Sequence, residues 1–396
     1  MFTKTGSFMM KQTPTINQIF RENGDRYRHK YPKTPLPQLK VIRSIEICRT
    51  DEIGSRIEKC DNCSHTVILN NSCRNRHCPQ CQNTKKEQWI AQREKEVIPV
   101  TYFHVVFTVP DILNEIIWKN KKIMFDLMFR ISKETLLSIA AEEKYFGADI
   151  GFFSILHTWG QKLNKHSHIH CVVPGGGFSK KNGKWIHVPY DYFAPFQVIK
   201  ARYKMLFLKN LKELDRSGKL YLVGTKYEKS GSIQNLIDKL YDKEWVVYLK
   251  ESFKNSNSVI EYLARYTHKI AMSNYRIVSA DNDSVEFKYR DYKDGNKQKT
   301  CRMDKLEFMR KFLSHTVPHR YVRIRYFGIF SHRNKSKSLE LCRKLYHILE
   351  SISNDPSDWR DIMMKKTGID YSVCPECGKG HLVFHKVIPG KYRDPP

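Results

Sequence analysis

Hydrophobic positions change their period along this chain. Residues 102–109, Tyr-Phe-His-Val-Val-Phe-Thr-Val, are β-branched and aromatic and stop at Pro110, which predicts a strand. Over 111–142 the apolar positions Leu113, Ile116, Ile117, Ile123, Leu127, Ile131 and Leu136 fall at helical spacing. Strand character returns at 151–157 and at 166–173, where Pro174-Gly175-Gly176-Gly177 imposes a turn or bend. Helices are expected at about 196–215 and 232–241, a strand at 245–250 and a helix at 256–270. Residues 273–278 and 284–290 read as a hairpin around Asp281-Asn282-Asp283. Nearer the start, short helical patterns at 16–20 and 41–47 flank a turn-rich basic stretch at 31–37, and 82–98 reads as a polar helix. Helices mixed with strands in this order predict an α+β fold.

Composition places that pattern in a globular protein. The 396 residues are 40% hydrophobic and 12% aromatic, enough for two or three domains with real cores. No run approaches the ~18 apolar residues of a membrane span, and the first residues lack the apolar centre of a secretory signal. A soluble cytoplasmic protein is expected, with no membrane partner. Charge then narrows the partner: 69 Lys+Arg against 41 Asp+Glu leaves +28. Self-repulsion of that size favours a polyanion, and without a basic amphipathic helix the polyanion is nucleic acid. Residues 288–344 hold 17 Lys+Arg against 5 Asp+Glu, interleaved with Tyr289, Tyr292, Phe308, Phe312, Tyr321, Tyr326, Phe327 and Phe330. Basic groups offset phosphates, and aromatics stack unpaired bases at roughly 1–3 kcal/mol each. Arg323 and Arg325 alternate on an expected strand and so share a face.

Eleven cysteines, six of them between Cys48 and Cys81, speak for metal. Cys60-Asp61-Asn62-Cys63 and Cys78-Pro79-Gln80-Cys81 are two knuckles that together resemble a zinc ribbon, with Cys60, Cys63, Cys78 and Cys81 closing a tetrahedral Zn²⁺ site. Cys48, His65, Cys73 and His77 lie near enough to exchange for a ligand or hold a second ion. Arg74 and Arg76, between the knuckles, suit phosphate contact. At the other end Cys374-Pro375-Glu376-Cys377 is a single knuckle followed by His381 and His385.

His166-Ser167-His168-Ile169-His170-Cys171-Val172-Val173 carries the strongest chemical signal. Alternation sends the three histidines to one face and Ile169, Cys171 and Val173 to the core. Neighbours on that face lie roughly 6–7 Å apart, so His168 and His170 can share one ion. If 151–157 pairs antiparallel with this strand about Lys162-Leu163, His157 faces His168 at ~5 Å. Gln161 and His166 compete for that third position. Later, Tyr262 and Tyr266 stand one helical turn apart.

His168-Ile169-His170 followed by Tyr262-x-x-x-Tyr266 resembles the HUH (His-hydrophobe-His) superfamily of single-strand DNA nicking enzymes, and the paired tyrosines narrow it to rolling-circle transposases. Cys48-Arg49-Thr50, the segment from Ser72 through Pro79, Leu156-His157-Thr158-Trp159-Gly160-Gln161, Val173-Pro174-Gly175-Gly176-Gly177, Arg265-Tyr266-Thr267-His268 and Arg323-Ile324-Arg325-Tyr326-Phe327-Gly328 are similar to the insertion-sequence ninety-one family. The likeness spans about residues 15–345, with a variable Cys-rich tail and no helicase motif. It implies a central antiparallel HUH sheet (ferredoxin/RRM-like) with the tyrosine helix laid over it, and a zinc-ribbon domain before it. The divisions expected are a helical zinc-binding DNA-recognition domain at 1–98, a catalytic domain at 99–345, and a C-terminal helix with a possible small knuckle at 346–396. It further implies Tyr262 and Tyr266 as nucleophiles, a catalytic Mg²⁺ or Mn²⁺, and 5′-phosphotyrosine chemistry on single-stranded DNA at insertion-sequence ends. Such a protein would act in the bacterial cytoplasm, at the nucleoid. Arg74, Arg76, Arg265, Arg323 and Arg325 are the expected DNA contacts. The rivals are a rolling-circle replication initiator or relaxase, and a non-enzymatic zinc-ribbon DNA-binding protein.

Overall fold

The computed structural model describes residues 13–94, 96–179, 181, 183–188, 194–229, 231–253, 270–292, 294–346 and 359–391. In chain order come α1 (Ile16–Lys30), α2 (Leu36–Ile47), β1 (Ser55–Cys60), β2 (Thr66–Asn70), α3 (Pro79–Glu94) and β3 (Tyr102–Thr108). There follow α4 (Asn114–Lys119), α5 (Lys121–Ala141), β4 (Gly151–Trp159), β5 (Lys165–Pro174), β6 (Gly176–Ser179), β7 (Lys184–His187), α6 (Phe196–Arg216), α7 (Ser232–Asp242) and β8 (Val247–Phe253). After these come β9 (Ile277–Ala280), β10 (Ser284–Asp291), β11 (Lys297–Asp304), a helix Lys305–Ser314 and β12 (Ile324–Gly328). Helices Lys335–Leu345 and Trp359–Thr367 precede β13 (Leu382–Ile388).

Five strands in the order β12-β4-β5-β3-β8 form one antiparallel sheet, with β5 at its centre. Alternation divides its side chains between two faces. Phe103, Val105, Phe107, Phe152, Leu156, Ile169, Cys171 and Val173 fill one face and pack with Phe125, Met128 and Ile139 of α5 and Ile199, Tyr203 and Phe207 of α6. On the opposite face Tyr102, Ile155 and Val172 meet Trp89 of α3. At the outer strand, Gly328 has φ +62° and a Cβ there would lie 1.9 Å from the Ile150 carbonyl oxygen, so glycine alone lets β12 close against β4.

Local chemistry explains where the element pattern and the fold differ. The helical stretch expected over 111–142 is interrupted at Asn120, whose side-chain amide donates to the Tyr221 carbonyl at 2.9 Å while its oxygen accepts from the Tyr221 amide at 2.7 Å. That exchange takes Asn120 out of the helix, and α4 and α5 form instead. The glycines after Pro174 bend at Gly175 and then continue as β6. The expected hairpin gains a third strand, β11, whose outward residues Gln298, Thr300, Arg302 and Asp304 are polar or charged and whose apolar alternation is only Cys301 and Met303. Residues 254–269, which hold all but the last residue of the helix expected at 256–270, lie outside the described residues.

A second core joins distant parts of the chain. Ile16, Ile19 and Phe20 of α1 and Ile42 and Ile45 of α2 pack with Phe287 of β10 and Phe308, Met309 and Phe312 of the Lys305–Ser314 helix. Phe20 and Phe312 meet edge to face at 5.4 Å. Thr15 starts α1 by accepting from the Gln18 amide at 3.1 Å. Phe308, Phe312 and Tyr321, expected as possible base-stacking groups, are therefore structural: all three are buried. The last strand, β13, pairs with β1 in the sheet β13-β1-β2. Among the described residues no helix is long and apolar enough to cross a membrane.

His315, just beyond the Lys305–Ser314 helix, ties this second core to the central sheet. Its Nε2 lies 3.2 Å from the Leu163 carbonyl and must carry the proton, which leaves Nδ1 to accept from Thr158 Oγ1 at 3.3 Å. Leu163 sits with φ +58° in the turn joining β4 to β5, so His315 braces that hairpin. Burial holds its pKa down at about 3. An unfolded histidine titrates near ~6.5, so below that pH the unfolded chain binds the proton first and native stability falls until about pH 3. Acidification from neutral pH should lower Tm, and His315→Gln should remove part of that slope in circular-dichroism melts. A slope identical to wild type would deny the brace its role.

Candidate functional site

The β4–β5 hairpin sets the first constellation. Its register pairs His157 with His168 and Ile155 with His170, so all three imidazoles emerge on one sheet face. Their ligand atoms lie within 4.8 Å of one another. Ring centroids are 5.3 Å apart for His157 and His168, 4.4 Å for His157 and His170, and 4.7 Å for His168 and His170. His157 and His170 are buried and His168 is half-buried at the rim.

Neighbouring groups fix how these rings present their nitrogens. His168 Nδ1 lies 2.9 Å from the His166 carbonyl, an acceptor only, so Nδ1 carries the proton and Nε2 keeps its lone pair. His170 Nδ1 lies 2.8 Å from His104 Nε2, with the two rings nearly coplanar at 4°. When His170 donates in that bond, its Nε2 carries the ring's lone pair. Burial, and then the positive field of neighbouring histidines, holds His168 at about 3 and His170 well below the ordinary value. Both rings are neutral at pH 7, the form that binds metal. His157 stacks on Trp159 at 4.5 Å, and the Arg323 guanidinium lies 5.8 Å from the Trp159 ring.

The competing ligand candidates have other engagements. Gln161 donates to the Tyr292 hydroxyl at 2.9 Å and its side-chain oxygen accepts from the Arg290 amide at 3.4 Å, tying the hairpin turn to β10. His166 is exposed, and its contribution is the carbonyl that orients His168. His104 escaped the sequence reading because it stands alone in β3. Its signal was parity: it faces Val172, two residues along β5 from His170 on the same face.

The cysteines form two groups, which corrects the ribbon expected from sequence. Cys78 and Cys81 come together with Cys48 and Cys73, whereas Cys60 and Cys63 come together with Cys374 and Cys377. Five steps of β1 from Ser55 to Cys60, at about 3.3 Å each, carry the Cys60 turn roughly 17 Å from the end where Cys48 and Cys73 sit. Counting would have found this: three C-x-x-C pairs plus Cys48 and Cys73 make two fours. In the first group all four thiols are buried, with Sγ separations of 3.5 Å for Cys48 and Cys81 and 3.6 Å for Cys73 and Cys81. Tetrahedral zinc with bonds of about 2.3 Å places its sulfurs about 3.8 Å apart, so the group fits that ion. Cys78 directly precedes α3, where Pro79 opens the helix and the N-terminal dipole favours a thiolate. Thiol hydrogen bonds from Cys48 and then Cys73 hold Cys78 well below its ordinary range, and lower Cys81 to about 7.

The expected DNA contacts divide. Arg74 is exposed, at φ +53°. Arg76 is exposed and donates to the Tyr321 carbonyl. Arg323 is buried. Arg325 pairs with Ser154, on the sheet face opposite the histidines, where it ion-pairs with Asp126 at 2.5 Å and lies 4.3 Å from the Phe129 ring. Arg325 thus belongs to the helix layer, a correction to its expected place beside DNA. Arg265, Tyr262 and Tyr266 lie outside the described residues.

Comparison with known proteins adds three findings. Residues 151–338 match a family model described as "Putative transposase", and residues 19–109 match a "Transposase zinc-binding domain". The chain is 38% identical over 387 residues to "Putative transposase y4qJ" of Sinorhizobium fredii, covering 96% of this chain and 97% of that protein. It is 25% identical over 372 residues to the "Transposase for insertion sequence element IS801" of Pseudomonas savastanoi pv. phaseolicola, covering 89% of this chain and 84% of that one. No solved structure matches. The zinc-binding match includes Cys48, Cys73, Cys78 and Cys81, whose geometry suits structural zinc.

Binding of a structural ion contributes directly to folding. Cys73→Ser should therefore lose one zinc per chain by metal analysis and lower Tm by roughly 5 °C or more in calorimetry. A variant that retains both its zinc content and its Tm would remove this centre from the list of structural supports.

Proposed function

This chain belongs to the insertion-sequence ninety-one family of transposases, and we propose that it moves its element by cutting and rejoining single-stranded DNA as an HUH-type tyrosine transferase. The observation that carries this reading is the convergence of three imidazoles, His157, His168 and His170, on one face of an antiparallel sheet. His157, His168 and His170 would hold one divalent ion through their ring nitrogens. Such an ion, Mg²⁺ or more readily Mn²⁺ with imidazole ligands, supplies polarisation of a non-bridging oxygen and orientation of the scissile phosphate.

The chain's own groups do the rest. The His166 carbonyl and His104 orient His168 and His170, and Trp159 backs His157. Tyr262 and Tyr266 are the nucleophiles. The phenol loses its proton and the oxygen attacks phosphorus; the tyrosine O–P bond forms as the P–O3′ bond breaks, and the departing oxygen takes up a proton as a 3′-hydroxyl. The 5′-phosphotyrosine conserves the cleaved bond until another 3′-hydroxyl reclaims the phosphate. Two nucleophiles support two linked cuts, the requirement of rolling-circle transfer. A net charge of +28 and the exposed Arg74 favour DNA as partner, with element ends as the specific sequences. The reaction belongs in the cytoplasm, where bacterial DNA lies.

A single-stranded oligonucleotide carrying an element end should form a covalent adduct with the protein in Mn²⁺ or Mg²⁺, visible on a denaturing gel. Tyr262→Phe combined with Tyr266→Phe should abolish the adduct while DNA affinity stays within about twofold. His168→Ala or His170→Ala should slow adduct formation about 100-fold or more, because metal polarisation is worth several kcal/mol. Adduct formation undiminished in the double tyrosine variant would overturn the mechanism.

A further inference from the structure

We propose that Cys60, Cys63, Cys374 and Cys377 bind a second zinc ion, and that this ion fastens the C-terminal segment to the N-terminal hairpin. The two pairs are 311 residues apart in sequence at their nearest, between Cys63 and Cys374, yet their sulfurs interleave. Cys60 Sγ lies 3.7 Å from Cys377 Sγ, and Cys63 Sγ lies 3.7 Å from Cys374 Sγ. That spacing excludes disulfides, whose sulfurs stand about 2.05 Å apart, and matches the edge of about 3.8 Å in a tetrahedral four-thiolate zinc site.

The surrounding backbone is built for thiolates. Amides of Asn62 and Cys63 donate to Cys60 Sγ at 3.4 Å each, and the Gly380 amide donates to Cys377 Sγ at 3.4 Å. Each C-x-x-C turn thus offers N–H groups to a sulfur that carries charge when metal is bound. Gly380 is required by space: a Cβ there would lie 2.6 Å from Cys60 Sγ. The two turns also clasp each other, since the Asp61 amide donates to the His381 carbonyl at 3.1 Å and the His381 amide donates to Asp61 Oδ1 at 2.8 Å.

Apolar burial cannot account for this attachment. Along β13 the residues Val383, Phe384 and Val387 are exposed, Phe384 at 65%. What joins β13 to β1 is a backbone ladder from Ser55–Ile388 to Cys60–Leu382, aided by Arg360, which ion-pairs with the buried Glu58 at 2.8 Å. A zinc ion at the open end of that ladder supplies the missing anchor. Because Cys63 is exposed whereas all thiols of the first group are buried, this second ion should leave first under chelation.

Metal analysis of the full chain tests the proposal. Wild type should hold two zinc ions, Cys374→Ser combined with Cys377→Ser should hold one, and Cys73→Ser combined with Cys78→Ser should hold one. On wild type alone, a chromophoric chelator should withdraw zinc in two phases, the fast phase coinciding with protease release of the segment after residue 346. A wild type with one zinc that the Cys374/Cys377 double variant retains would overturn the proposal and leave the first centre standing. Two ions in wild type with an unaltered count in the Cys73/Cys78 double variant would instead count against the first centre. Single-phase withdrawal without protease release would also overturn the second site, even if a variant failed to fold.

Discussion

The antiparallel ladder between β4 and β5 is the constraint on which the site depends. Because strand side chains alternate, a slip of one residue would turn His168 and His170 into the apolar layer under α5 and bring Ile169 and Cys171 out in their place. Two devices hold the register. Ile169, Cys171 and Val173 are fully buried on the far face, so slippage would expose them. The turn itself is gripped from outside the sheet, at Leu163 by His315 and at Gln161 by Tyr292 and Arg290. The hairpin that carries the histidines is thus supported by residues 129 to 152 positions later in the chain.

Metal-ligand chemistry is partitioned in space. Soft thiolates gather where the chain must be held shut, at the end of α2 and the start of α3. Imidazoles gather on the sheet, with His168 at the rim where a substrate can approach. Four thiolates complete the tetrahedral shell of a zinc ion, whereas three imidazoles are one donor short of such a shell. The two donor sets stay separate, with no residue belonging to both.

Much of this was legible in the residues. Alternation in His166–Val173 and the symmetry of a hairpin centred on Lys162-Leu163 were enough to set His157 against His168. The family resemblance was likewise readable from ordered motifs, and the matches over 19–109 and 151–338 bear it out. The cysteine partition was hidden because a knuckle fixes only two ligands, and its partners depend on which way a hairpin carries it. Arg325 misled for a related reason: its charge suggested a phosphate, but strand parity commits it to Asp126. Phe308 and Phe312 look the same in sequence whether they stack a base or a neighbouring ring, and only packing against Phe20 and Phe287 tells.

The pairing of β13 with β1 has a bearing on biosynthesis. The edge of β1 that β13 covers emerges from the ribosome more than three hundred residues before its partner. Until residues 382–388 follow, that edge carries unsatisfied amides and carbonyls, an invitation to pair with another chain. Translation that stops early therefore leaves not a shortened but otherwise finished protein, but one whose opening sheet is still unclosed.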